Sequence, residues 1–124
     1  MFFRMVFAAM MATGVSLSAG KVFNVKDFGA KGDNKADDRP AFTKAFKAAA
    51  EYGAGAKIII PEGTYRMISL QSNKNRNVSH LVANKLKQAV VEGIPGATLI
   101  MTHRGCGLKV YNCSDTIFKN ITIF

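Results

Sequence analysis

Cysteine and histidine occur only twice each in the 124 residues, proline three times, and acidic residues number 8 against 17 basic ones. Each scarcity closes off a class. Cys106 and Cys113 allow at most one bridge, so no disulfide framework holds the chain, and no His/Cys spacing resembles a zinc site. The two thiols remain open to pairing in an oxidising compartment, or to packing as small residues between stacked strands. With 3 prolines, 11 glycines and 48% hydrophobic residues, neither a disordered nor a fibrous chain is indicated. The length leaves room for one small domain. The excess of positive charge, +9 in all, would attract any polyanion, whether acidic polysaccharide, anionic lipid or nucleic acid. No basic run exceeds two residues, however, and Lys85, Lys87, Lys109 and Lys119 fall within apolar segments as on a solvated strand face.

Long hydrophobic runs are also missing. The apolar stretch Met5 to Met11 is far below the roughly 20 residues of a membrane span. With Arg4 before it and Ser16-Leu17-Ser18-Ala19-Gly20 after it, residues 1–20 have the layout of a secretory signal peptide, with cleavage expected after Ser18 or Gly20. The expected location is secreted or periplasmic. Asn-x-Ser/Thr sequons begin at Asn77, Asn112 and Asn120, and they matter only in a glycosylating host.

What is present reads as one helix among many short strands. Val22 to Val25 is an opening strand, and Phe28 to Asn34 an ordered loop. Asp37 offers a helix N-cap carboxylate, with Asp38 in the first turn. Phe42, Ala45, Phe46 and Ala49 recur at i, i+3, i+4 and i+7, which predicts an amphipathic helix from Asp38 to Tyr52, with Pro40 in its first turn and Gly53 at its C-cap. Lys57 to Ile60 predicts a strand buried on both sides, Pro61 to Thr64 a turn, Tyr65 to Leu70 a strand, and Gln71 to His80 a polar excursion. Short strands follow at Gln88 to Val91, Ala97 to Met101, Leu108 to Tyr111, Thr116 to Phe118 and Ile121 to Phe124, with a repeat near 20 residues and no helix between them. Such spacing fits a coil of stacked rungs.

Two segments carry a resemblance beyond pattern. They are Phe23-Asn24-Val25-Lys26-Asp27-Phe28-Gly29-Ala30-Lys31-Gly32-Asp33 leading to Asp37-Asp38, and Ile58-Ile59-Ile60-Pro61-Glu62-Gly63-Thr64-Tyr65. Together they resemble the opening of pectate lyase superfamily domains, shared with the polygalacturonases and rhamnogalacturonases of glycoside hydrolase family 28 and with some phage tailspikes. Asn112 to Ser114 and Lys119 to Ile123 resemble the repeating rungs. The resemblance implies a mainly β, right-handed parallel β-helix, with the helix capping its N-terminal end. Residues 21–124 are then the N-terminal part of such a domain. Because Ile121 to Phe124 is a strand without a polar cap, a truncated chain is the expectation.

The function implied for the parent is cleavage of pectin-type acidic polysaccharide, by hydrolysis with two carboxylates or by β-elimination. The alternative is a glycan-binding solenoid of the adhesin or tailspike kind. The partner implied is an acidic polysaccharide rather than nucleic acid or, once the signal segment is gone, a membrane. Within the sequence no catalytic, cofactor-binding or metal-binding residue is assigned, and no cofactor is suggested. Asp27, Asp33, Asp37 and Asp38 read as turn and cap residues rather than as a carboxylate or metal site. Asp115 and Glu92 lie near rung strands without a sequence neighbour to make a pair, and His80 and His103 stand singly, each read as a solvated loop histidine.

Overall fold

The computed structural model describes residues 20–69 and 79–124. The expected signal segment apart from Gly20, the polar excursion from residue 71 to 78 and the Asn77 sequon lie outside the described residues. In chain order the elements are β1 (Val22–Asn24), a 3-10 turn (Val25–Phe28), β2 (Asp33–Asp37), α1 (Arg39–Tyr52), β3 (Lys57–Ile60), β4 (Gly63–Met67), β5 (Ser79–Asn84), β6 (Val90–Gly93), β7 (Ala97–Met101), β8 (Cys106–Tyr111), β9 (Ile117–Lys119) and β10 (Thr122–Ile123).

All pairings among these strands are parallel. One sheet runs in the order β9-β6-β3-β1, a second β10-β7-β4-β2, and a third pairs β5 with β8. A turn of the coil therefore visits three sides, and the expected β-helix is what the chain forms. Parallel neighbours normally need a helical crossover. Here the remaining two sides of the coil serve as the crossover. Aligned positions on the first sheet, Phe23↔Ile58, Ile58↔Val91 and Val91↔Phe118, are 35, 33 and 27 residues apart. The repeat is thus longer than the 20 residues expected, because the sequence spacing counted strands on different sides as if they were stacked.

Register builds the core. Phe23, Ile58 and Val91 stack as one inward column and Tyr65 over Leu99 as another, with Leu81 above Leu108 on the third side. β3 buries Ile58 and Ile60 and leaves Lys57 and Ile59 half-exposed, so it has one buried face rather than the two expected. Its outward face meets solvent and not a second layer.

The predicted helix forms from Arg39, one residue later than expected, and buries the predicted stripe Phe42, Ala45, Phe46 and Ala49 together with Ala41. It follows β2 where later turns place a third strand, and packs against β5. α1 thus closes the first turn of the coil, with Phe42 set edge-on to Tyr65 at 5.2 Å between ring centroids. Such a pair adds about 0.5–1.5 kcal/mol beyond its buried area.

Corners carry the bends. Gly93 shows why one corner excludes a side chain: a Cβ there would overlap the backbone carbonyl of Asn120 on the next turn. Lys85 and Gln88 adopt left-handed backbone with φ of 63° and 46°, and one turn later Asn112 and Asp115 do the same at 55° and 50°. Lys85 and Lys87 are therefore corner residues, not members of the strand face expected for them, whereas Lys109 and Lys119 do lie on strands. Likewise Asp33 to Asp37 is a strand, Gly63 and Thr64 open β4 instead of ending a turn, and Ser79 and His80 already belong to β5.

Because Phe46 joins the helix to the coil interior, Phe46→Ala should lower unfolding stability by about 3–5 kcal/mol, and Phe46→Asp should drive the protein into aggregates. Urea unfolding and light scattering read both. Solubility and stability matching the unsubstituted chain would mean that α1 does not hold the first turn.

Candidate functional site

The residues with the most specific contacts gather where β2 meets α1. Asp38 is buried, and its carboxylate accepts from the backbone N–H groups of Lys31 (2.9 Å) and Gly32 (3.0 Å). Asp38 occupies the N-cap position but gives the helix no side-chain bond. The carboxylate that does meet the helix is Asp37, which accepts from Arg39 N–H at 3.2 Å and also from the N–H groups of Ile68 (2.9 Å) and Ser69 (3.2 Å). The two expected roles are thus divided: Asp37 touches the helix from one residue before the cap, and Asp38 ties the preceding loop. Burial alone would raise the Asp37 pKa, but the Ser69 side chain and then the backbone donors outweigh it and hold the carboxyl below its ordinary value.

Gly32 sits at φ 64° with Tyr65 beside it, and a Cβ there would come within 3.0 Å of the ring. Tyr65 is fully buried and donates to the Pro61 carbonyl at 2.7 Å. Burial, and then the charge of Asp38, push its pKa up to about 12. Asp33 accepts from Lys35 and Ala36 N–H, which holds its pKa down, and Asp27 is exposed on the 3-10 turn. These bonds make Asp33, Asp37 and Asp38 ties to the backbone.

His80 departs most from its expected role. It is completely buried on β5, and Arg39 Nε donates to its carbonyl at 3.0 Å. Its Nε2 accepts from the backbone N–H of His103 at 3.1 Å, and its Nδ1 faces the Cys106 carbonyl at 3.4 Å. An imidazole that accepts at Nε2 and faces a carbonyl at Nδ1 is neutral with its hydrogen on Nδ1. The His103 ring stacks on it, with centroids 6.3 Å apart and planes 15° from parallel. His80 is thus buried on a strand instead of solvated in a loop, whereas His103 lies on an exposed bend as expected and stacks on it.

On the outer face of the first sheet Glu92 bridges Lys57 (3.1 Å) and Lys119 (3.9 Å). The Lys57 bond, then the charge of Lys119, lower its pKa. Asp115 is an exposed corner residue. Neither is in a carboxylate pair, and among the described residues no three His, Cys, Asp or Glu side chains gather as a metal site. Cys106 and Cys113 are free, with Cys106 exposed rather than packed. Asn112 donates from Nδ2 to Asn84 Oδ1 at 3.2 Å.

A groove of about 410 Å³ runs between α1 and the outward side of the third sheet. Lys47 and Glu51 line it from the helix, and Asn84, Lys85 and Tyr111 from the coil. No local pattern encodes it, since its walls come from the helix and from later turns of the coil.

Asp38→Asn replaces one acceptor oxygen with an N–H donor facing another donor, so stability should fall by about 1–3 kcal/mol in urea unfolding. The same change should move the Tyr65 phenol back toward 10.0 in an ultraviolet titration, by the part that Asp38 supplies. A raised phenol pKa favours the neutral form, so its contribution is complete below pH 10.0 and is lost as pH rises through about 12. Tyr65→Phe should flatten that alkaline limb. An unchanged limb would place the alkaline sensitivity elsewhere.

Residues 22–78 match the family model described as rhamnogalacturonase A/epimerase, pectate lyase-like. Mannuronan C5-epimerase AlgE3 of Azotobacter vinelandii is 43% identical over 61 residues, covering 49% of this chain and 3% of that protein. An exopolygalacturonase of Arabidopsis thaliana is 46% identical over 52 residues, 42% of this chain and 11% of the relative. Plasmin and fibronectin-binding protein A of Streptococcus pneumoniae is 39% identical over 71 residues, 57% of this chain and 10% of the relative. The matched stretches thus span only a small part of these relatives. Among solved structures, the A-module of Azotobacter vinelandii mannuronan C-5 epimerase AlgE6 superposes with a TM-score of 0.58 at 24% identity, covering 82% of this chain and 28% of that one. The described chain accordingly folds as a parallel β-helix like that A-module, and its residues 22–78 are similar to the rhamnogalacturonase A/epimerase, pectate lyase-like model.

Proposed function

We propose that this chain is the N-terminal part of a secreted carbohydrate-active protein that acts on an acidic polysaccharide of the pectin type. The observation that carries the reading is the coincidence of the family match over residues 22–78 with a three-sided parallel coil. Relatives named for mannuronan and for polygalacturonate differ in reaction and agree in substrate charge. A chain with net charge +9 suits such a polymer. Hydrolysis is the first reaction proposed and β-elimination the second.

The polar groups gathered at the β2–α1 junction are already spent on backbone atoms: Asp37 and Asp38 accept from N–H groups, and the His80 ring lies buried between His103 and Cys106. General acid and base work needs a carboxyl or imidazole within reach of substrate. We therefore assign the described coil a binding and scaffolding role, with the cleaving groups on further rungs of the parent. A second reading, a solenoid that binds without cleaving, is favoured by the similarity to the plasmin and fibronectin-binding protein.

Incubating the purified chain, and separately the parent gene's full product, with polygalacturonate and with alginate tests both. The expected outcome is binding by the chain, and release of reducing ends by the full product without the ultraviolet absorbance of unsaturated uronates. Absorbance together with reducing ends would move the assignment to β-elimination. Binding without either signal would establish the second reading, and no interaction with any acidic glycan would remove both.

A further inference from the structure

The groove between α1 and the third sheet has a composition that neither the packing of the coil nor the aspartate ties require. Its floor is the outward side of β5, where Val82 and Asn84 alternate with the buried Leu81 and Ala83. Tyr111, paired in register with Asn84 on the next turn, presents an exposed ring. Lys47 and, one helical turn on, Glu51 form the helix side, and Lys85 closes the corner. Lys109 holds its ammonium 5.3 Å from the Tyr111 ring centroid. Among the described residues, Lys47, Lys85 and Lys109 have no ion pair, whereas Lys57 and Lys119 share Glu92. The volume, about 410 Å³, is within the roughly 300–1,000 Å³ of clefts that hold small ligands.

The backbone at Lys85 adds a separate observation. Its φ of 63° is in the left-handed region, which asparagine adopts more readily than lysine. The next turn has Asn112 at the corresponding corner, with φ 55°. The Lys85 N–H points to the Tyr111 carbonyl at 3.4 Å, which keeps the two corners in line. A lysine thus stands at a corner where an amide residue costs less, and its side chain lines the groove. Strain of this kind points to a role outside folding.

We infer that this groove is a docking site for a carboxylate-bearing sugar chain, separate from any cleavage site. Ammonium groups on two walls suit spaced carboxylates. The phenol ring of Tyr111 gives an apolar plate for the face of a pyranose, and the Asn84 amide and Glu51 carboxylate suit its hydroxyls. Glu51 repels phosphate and carboxylate alike, and its acceptor oxygens suit the hydroxyl donors that a sugar carries beside its carboxylates. The inference rests on the acidic-polysaccharide reading above for its ligand class, and on the groove for its location.

The test uses the full chain, sodium polygalacturonate as probe and a neutral glucan as comparison, with affinity measured by calorimetry. Tyr111→Ala, and Lys47→Gln combined with Lys85→Asn, should each weaken binding by roughly tenfold or more. Lys44→Gln, which removes one exposed helix charge outside the groove, should change it by less than about twofold. Lys85→Asn alone should weaken binding while leaving the thermal midpoint unchanged or raised, a split that a merely structural lysine would not produce. Equal binding by all variants would overturn the groove assignment and leave the polysaccharide reading standing. Failure of the unsubstituted chain to bind polygalacturonate would overturn both, and equal affinity for the neutral glucan would overturn the charge argument.

Discussion

Parallel strands cannot be joined to their neighbours by a tight turn, and that single limitation organises this chain. Every strand must wait for the polypeptide to travel round two other sides before its partner arrives. Each side chain is consequently placed over one about 24 to 35 residues away, and the inward columns, such as Phe23, Ile58 and Val91, exist only because successive turns bend at matching points. The corners are therefore as constrained as the core. Left-handed residues recur at Lys85 and Asn112 and again at Gln88 and Asp115, and Gly93 leaves space for the carbonyl of Asn120.

The first turn has the additional difficulty that no earlier rung supports it. α1 meets this by lining up Phe42 and Phe46 on the coil interior, and the polar groups around it are consumed in fixing the loop that leads in. Asp38 binds two N–H groups of the Lys31–Gly32 loop, and Gly32 leaves room for Tyr65. Loop, helix and β4 are thereby bound into one unit, in which a carboxylate and a phenol are both buried. The aspartates concentrated there are explained by backbone satisfaction and need no reaction to justify them.

How much of this was legible in the sequence follows from distance along the chain. The stripe Phe42, Ala45, Phe46 and Ala49 was readable because a helix imposes its own period within four residues. The β-helix was readable through a resemblance carried by the aspartates, glycines and Pro61 of the opening. The buried faces were misjudged at β3, since three isoleucines in succession conceal an outward position at Ile59. His80 was misjudged for a different reason: its partner His103 arrives one turn later, through a register that no local pattern encodes. The groove was invisible for the same cause, because Lys47 and Lys85 face it from different turns.

Tryptophan is absent, and the three tyrosines occupy unlike surroundings: Tyr65 is sealed in the core, while Tyr52 and Tyr111 are 47% and 42% exposed. Intrinsic emission from this protein is therefore purely phenolic, and a water-soluble quencher divides it into a shielded and an accessible fraction. The shielded fraction is a built-in optical label for the packing of Tyr65 against Phe42, and the accessible fraction, shared by Tyr52 and Tyr111, reports on the groove once Tyr52 is replaced by phenylalanine.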